Sequence, residues 1–357
     1  MNTLDNLSNI KKLDPKNMLG ASAEFPEQIE QTWNEWKNIP LPPHFLNVKN
    51  VLLLGIGGSG IGAALVATLA EKMCNIPVAN CRDYSLPTWV DRNTLIIAIS
   101  HSGNTEETLT TFAEATTKTD KLITISTGGR LASLGSQHKA LNYQYQSNVP
   151  QPRVATGYQI ASLLAIFGKL KFIEINDDDI NEAVILLKGM VKKLSAENAT
   201  TYNLAKQLAQ KLFGKIPVVV GSGTLSEVAR RWKGDFNENA KQASYFEILP
   251  EMNHNALVGF EFPKNLTDKI FVIILQSQHD HARNKLRQLI VAQILQKRRI
   301  QYETVMMQPA GSVYAEMFQA ITFGGFVSIY LAILNNTDPE PVEIIKFLKD
   351  KLSEVPF

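Results

Sequence analysis

Two short stretches of this 357-residue chain have residue types suited to holding a phosphate ester. The first, Gly55-Ile56-Gly57-Gly58-Ser59-Gly60, sets glycines in the first, third and sixth places of a dinucleotide fingerprint. Such a turn lets main-chain N–H groups approach an anion at the positive end of a helix, so it specifies phosphate rather than nucleotide. Asp83 lies 23 positions beyond Gly60, near the distance of a ribose-binding acid, which leaves a nicotinamide-dependent oxidoreductase open. The second stretch is Ser100-His101-Ser102-Gly103-Asn104-Thr105-Glu106-Glu107-Thr108. Its hydroxyls on Ser100, Ser102 and Thr105 can donate to phosphate oxygens beside helix N-terminal amides, whereas a helix cap alone needs only one hydroxyl. Neither stretch contains lysine or arginine, which excludes a Walker A loop. An uncharged cradle suits a phosphate monoester held while chemistry proceeds several carbons away.

The elements that must position these loops are legible in the hydrophobic pattern. Residues 51–54 form a continuous apolar run of the kind buried on both faces of a parallel sheet, and the small-residue helix 61–73 follows the glycines. Further strands are predicted at 77–80, 94–99 and 121–126, separated by helical segments, which is the βαβ pattern of a doubly wound sheet. The alternation restarts at strand 216–220, turn Gly221-Ser222-Gly223 and a helix carrying Leu225, Val228, Ala229, Trp232 and Phe236, with strands at 269–275 and 301–306. Asp179-Ile180-Asn181-Glu182 has the form of a capping box and opens a helix expected to bridge the two lobes. Residues 1–45 read as a helical segment with Ile29, Trp33 and Trp36 on one stripe, closed by the prolines at 40, 42 and 43. The expected fold is α/β, with two doubly wound parallel-sheet lobes over residues 46–195 and 196–357 and flanking helices.

With these motifs, Asn237-Glu238-Asn239-Ala240-Lys241 and Asn253-His254-Asn255 make the chain resemble the bifunctional phosphoglucose/phosphomannose isomerases, sugar isomerases with SIS domains in the phosphoglucose isomerase superfamily. The likeness runs from about Val48 to near the C-terminus. It implies a metal-independent, cofactor-free exchange of fructose 6-phosphate with glucose 6-phosphate and mannose 6-phosphate, with phosphate held by Gly57, Gly58, Ser59, Ser100, Ser102 and Thr105. Aldose–ketose exchange through an enediol needs one base that moves a proton between neighbouring carbons. Glu238 stands where the amphipathic pattern of its helix runs out, near a carbonyl-rich end that disfavours negative charge, and the resemblance makes it that base. The resemblance likewise implies that His254 opens the sugar ring from across a homodimer interface, that Arg153 stabilises the enediolate, and that Lys349 enters the site from a helix beginning at Asp338-Pro339. Lys346 and Lys351 compete with Lys349 for that place. The chain departs from the family pattern at Gly325 and Ala256, where acidic residues are common.

Thirty-six basic against 34 acidic residues give a formal charge of +2 without long charged blocks, which argues against a nucleic-acid partner. Cys74 and Cys81 have no metal-like spacing to histidine, and His279-Asp280-His281 lacks a further ligand nearby. The N-terminal residues contain no continuous apolar segment, so a cytoplasmic protein is expected, and 323–334 reads as a buried helix rather than a membrane span. A catalytically inert sugar-phosphate sensor is the remaining rival. It would keep both phosphate loops while leaving Glu238 and His254 without partners.

Overall fold

The computed structural model describes residues 3–355. Helices α1 (Leu7–Leu13), α2 (Met18–Ala23) and α3 (Phe25–Lys37) come first. Strand β1 (Asn50–Leu54), with four successive buried apolar residues, then leads into α4 (Gly57–Met73). Strands β2 (Val78–Cys81) and β3 (Thr94–Ser100), helix α5 (Glu106–Ala115), strand β4 (Leu122–Ser126), helix α6 (Gly129–Gln137) and strand β5 (Leu141–Gln144) complete a parallel sheet ordered β2-β1-β3-β4-β5. Every residue of β3 is buried, which explains its unbroken apolar run: helices cover both faces of a parallel sheet.

Three helices, α7 (Thr156–Lys169), α8 (Asp177–Leu194) and α9 (Leu204–Leu212), lead to the second sheet. It contains β6 (Ile216–Ser222), α10 (Ser226–Glu238), β7 (Tyr245–Leu249), the single turn α11 (Ala256–Gly259), β8 (Ile270–Gln276), α12 (Ala282–Lys297) and β9 (Gln301–Met306), in the parallel order β7-β6-β8-β9. Helix α13 (Val313–Leu334) is long and apolar enough to cross a membrane, but it lies buried against α2, α8, α9 and α10. It shows no amphipathic stripe because neighbours surround it. The chain closes with α14 (Glu343–Ser353), none of whose residues is buried.

Three sequence expectations change. The N-cap of α8 is Asn176, whose side chain accepts from Asp178 N (2.8 Å) and Asp179 N (3.2 Å), and Asp179 reciprocates by accepting from Asn176 N. Glu182, expected to close the box, instead accepts from Gly311 N at 2.9 Å and Ser312 N at 3.3 Å, fastening α8 to the start of α13. Helix α14 starts at Glu343 and not at Asp338-Pro339, because Asp338 accepts from Glu340 N at 2.8 Å and shapes a turn there. Strands β5 and β7 went unpredicted, since both are short edge strands without an apolar run.

Helix α10 packs on α13 through Trp232, whose indole N–H donates to Ala320 O at 2.9 Å. A methyl group on Gly324 would stand 2.2 Å from the Trp232 Nε1, and the fully buried ring has nowhere to go. Gly324→Ala is therefore expected to cost about 1–3 kcal/mol of stability by overpacking. Gly189, exposed on α8 with nothing within 4 Å of where a methyl group would stand, should gain about 0.4–1 kcal/mol on replacement by alanine. Urea denaturation of both variants checks this pair, and equal midpoints would contradict it.

Candidate active site

The first sheet reverses its strand order between β1 and β3, and both phosphate-type loops leave the carboxyl ends of those two strands, where α/β sheets bind ligands. At the β1 loop, Gly57 takes a left-handed φ of 59° and opens α4, and its bare Cα side faces open space. A side chain on Gly60 would meet Gly55 O at 2.6 Å, so the helix can start this close to the strand only with glycine there. Ser59 is buried, and its Oγ accepts from His101 N at 3.1 Å, which stitches the two loops together. In the β3 loop, Ser100 Oγ and Thr105 Oγ1 share a hydrogen bond of 2.9 Å, while exposed Ser102 accepts from Asn104 N at 3.2 Å. Thr105 is the N-cap of α5, yet its hydroxyl is turned to Ser100 and makes no cap bond. The first amides of α5 thus stay open to an anion.

Facing these loops is a wall built around Arg153. Backbone atoms of Pro152 and Arg153 lie 3.3 Å from where a Gly58 side chain would begin, so that glycine admits the segment. The Arg153 guanidinium, only 3% exposed, donates to Asn239 Oδ1 (2.6 Å), Pro339 O (2.6 Å) and Glu340 O (2.8 Å), and pairs with Glu238 Oε2 at 3.5 Å. Burial pulls its pKa down, against the opposing pull of Glu238 and Asp235. The Asn-Glu-Asn motif ends α10. Asn237 donates to Gln242 O and Ser244 Oγ, and Asn239 bridges Arg153 and Ser328 Oγ. The two asparagines pin the helix end, leaving Glu238 part-exposed between them.

Glu238, Arg153, Gly57 and Gly58 line one cleft of about 500 Å³ between the two sheets. Arg82, Arg230, Arg231, Lys233 and Asp235 also line it, none of them singled out from sequence. The loops are uncharged, but the cleft is not: five basic and two acidic side chains border it, a balance that favours a dianion. Arg230, Arg231 and Lys233 could have been suspected from the basic face of α10 beside Glu238. Arg231 pairs with buried Asp235 at 2.8 Å and donates to Arg153 O. Gly325 borders a small void shared with Arg153, Arg231, Asp235 and Asn239, and Ala256 follows Asn255, which caps α11.

Of the other candidates, Ser59, Ser100, Ser102 and Thr105 lie in the two loops without lining the cleft, and two more stand elsewhere. His254 is exposed in a turn after β7, and Lys349 is exposed on α14; neither lines the cleft. His281 caps α12 through Nδ1, and Asp280 accepts from Ser222 Oγ at 2.5 Å, so this segment serves the turn after β8.

Residues 201–352 match the family described as bacterial phospho-glucose isomerase C-terminal SIS domain. The bifunctional phosphoglucose/phosphomannose isomerase of Caldicellulosiruptor bescii is 40% identical, over 95% of this chain and 99% of that protein. The protein of the same name from Aquifex aeolicus is 33% identical, over 90% of this chain and 95% of that one. This chain belongs to the bifunctional phosphoglucose/phosphomannose isomerase family. The fold of this family member extends further: the C-terminal domain of glucosamine-fructose-6-phosphate aminotransferase from Francisella tularensis matches it with a TM-score of 0.70 at 16% identity, covering 91% of this chain and 98% of that one.

Burial pushes the Asp235 carboxyl up from 3.8 to about 6, with Arg231 opposing the rise. Between those values the folded protein holds a proton that the unfolded chain has lost, so stability should fall as pH rises from 3.8 to about 6. Asp235→Asn should flatten that part of the curve. Unfolding midpoints measured across the window check this, and an unchanged slope in the variant would contradict it.

Proposed function

We propose that this chain interconverts fructose 6-phosphate with glucose 6-phosphate and mannose 6-phosphate through a cis-enediol. One observation carries the reading: the Glu238 carboxylate, backed by Arg153 at 3.5 Å, shares a cleft with the glycine loop. With phosphate on Ser59, Ser100, Ser102, Thr105 and the amides of α4 and α5, the far end of the sugar reaches that carboxylate. Glu238 removes the proton from the carbon beside the carbonyl and returns it to the neighbouring carbon. Negative charge develops on the enediolate oxygen, and Arg153, fixed by three hydrogen bonds, meets it without rearranging. Reaching both aldose phosphates requires rotation about C1–C2, so that one carboxylate serves either face of C2.

Ring opening needs a group that moves a proton between the ring oxygen and a sugar hydroxyl, a task suited to histidine. We assign it to the partner's His254 in a cytoplasmic homodimer. His254 is exposed away from its own cleft, beside exposed Val258 and near α12, whose Leu289 and Ile290 are also exposed. Asn253 joins this turn to α12 by accepting from Arg287 at 2.9 Å. Lys349 is assigned to sugar positioning from α14, whose exposed Ile344, Phe347 and Leu348 leave the helix free to pack on a second subunit.

Incubation with fructose 6-phosphate in the presence of a chelator should yield both aldose phosphates. Glucose 6-phosphate alone would remove the mannose assignment, and no product would remove the enzyme. Glu238→Gln should lower kcat at least ~100-fold with ligand affinity nearly intact, the lower range for loss of a general base. Normal turnover in that variant would overturn the base assignment. Mixing and refolding inactive Glu238→Gln and His254→Ala subunits in equal amounts should restore about a quarter of wild-type activity, because each heterodimer regains one intact shared site. No recovery, with dimers present by light scattering, would contradict the shared site.

A further inference from the structure

We propose that Gln159, on α7, is a positioning residue that turns the Ser59 hydroxyl proton toward the phosphate. The proposal rests on the phosphate seat proposed above. Gln159 is fully buried, and its Nε2 donates to Ser59 Oγ at 3.1 Å. His101 N donates to the same oxygen, also at 3.1 Å. A serine hydroxyl has two acceptor lone pairs and one proton. With both lone pairs filled, Ser59 is left with its proton to give, and among the described residues no side chain or carbonyl takes it.

The loop whose amide holds Ser59 is itself fixed. Tyr145 is buried and stacked on Tyr158 with ring centroids 4.7 Å apart, and burial pushes the phenol pKa up, so the phenol keeps its proton. Its oxygen lies 2.9 Å from His101 Nδ1. This contact fastens the His101 ring to the buried phenol. Burial also holds His101 below the ordinary histidine range, which keeps the ring neutral. The backbone of His101 is fixed as well, its carbonyl accepting from Thr127 Oγ1 at 2.7 Å and Thr127 N at 3.0 Å.

Only one orientation of the amide has this effect. Gln159 Oε1 is buried without a partner among the described residues, in a place that Gly62 leaves open, since a side chain there would begin 3.0 Å away. Were the amide reversed, its oxygen would draw the Ser59 proton inward and remove that donor from the phosphate.

Gln159→Glu puts an acceptor in the place of the donating amide. As that carboxyl ionises with rising pH, the KM for fructose 6-phosphate and the inhibition constant of inorganic phosphate should rise together by about 10-fold or more, the loss expected for one hydrogen bond to a charged group. The value of kcat should stay within about threefold. Gln159→Met should raise KM without that pH dependence. A KM unchanged in Gln159→Glu while Ser59→Ala raises it would overturn the role of the amide and leave the phosphate seat standing. A KM unchanged in Ser59→Ala would overturn both. Should the glutamate variant fail to fold, Gln159→Met decides the matter: a KM and a phosphate inhibition constant equal to those of the unmodified protein, while Ser59→Ala raises both, would overturn the proposal.

Discussion

A guanidinium taken out of water must find partners for its charge and donors, and in this protein that requirement organises the site. Arg153 finds them in two stretches of chain: Asn239 and Glu238 at the end of α10, and the carbonyls of Pro339 and Glu340 beyond α13. Removing one partner of a buried charge is far more costly than losing a surface ion pair. The contact therefore ties the second sheet and the C-terminal turn to the segment that leaves the first sheet. The same contact holds Glu238 in the cleft that the glycine loop lines.

The two sheets use similar strand–glycine–helix units for different ends. After β1 and β3 the switch point stays open, with Thr105 turned from its helix and Ser59 held between loops. After β6 and β8 the corresponding place is filled from within. Ser222 Oγ donates to Asp280 at 2.5 Å, and Gln288 donates to both Asp280 and Ser222. One switch point is left for a ligand, while the chain's own carboxylate closes the other. The charged wall of the cleft then comes from α10, the turn after β2 and the segment before α7, so attraction for a dianion and the proposed seat for its phosphate belong to different elements.

Much of this was legible in the sequence because parallel strands buried on both faces announce themselves as apolar runs. That signal located β1, β3, β4, β6 and β8, and the Gly57 and Thr105 loops with them. It failed at β5 and β7, where edge positions and half-exposed residues leave no run to see. It also misplaced the cap of α8, because Glu182 was claimed by Gly311 and Ser312, 129 and 130 positions away. At the site, Glu238 and Arg153 were singled out through motifs, but their pairing at 3.5 Å was not visible. Arg82 and Asp235 escaped notice for the same reason. Their relevance comes from tertiary approach across 145 residues in the Arg82–Glu227 pair and from complete burial at Asp235, neither of which leaves a local pattern. His254 and Lys349 do not line the cleft of their own chain.

The most direct measurement is a crystal structure with a phosphorylated hydroxamate that mimics the enediolate. The account predicts its phosphate on Ser59, Ser100 and Thr105 and its hydroxamate oxygens between Arg153 and Glu238. A phosphate bound instead by Arg82, Arg230 and Lys233, with the hydroxamate out of reach of Glu238, would contradict it.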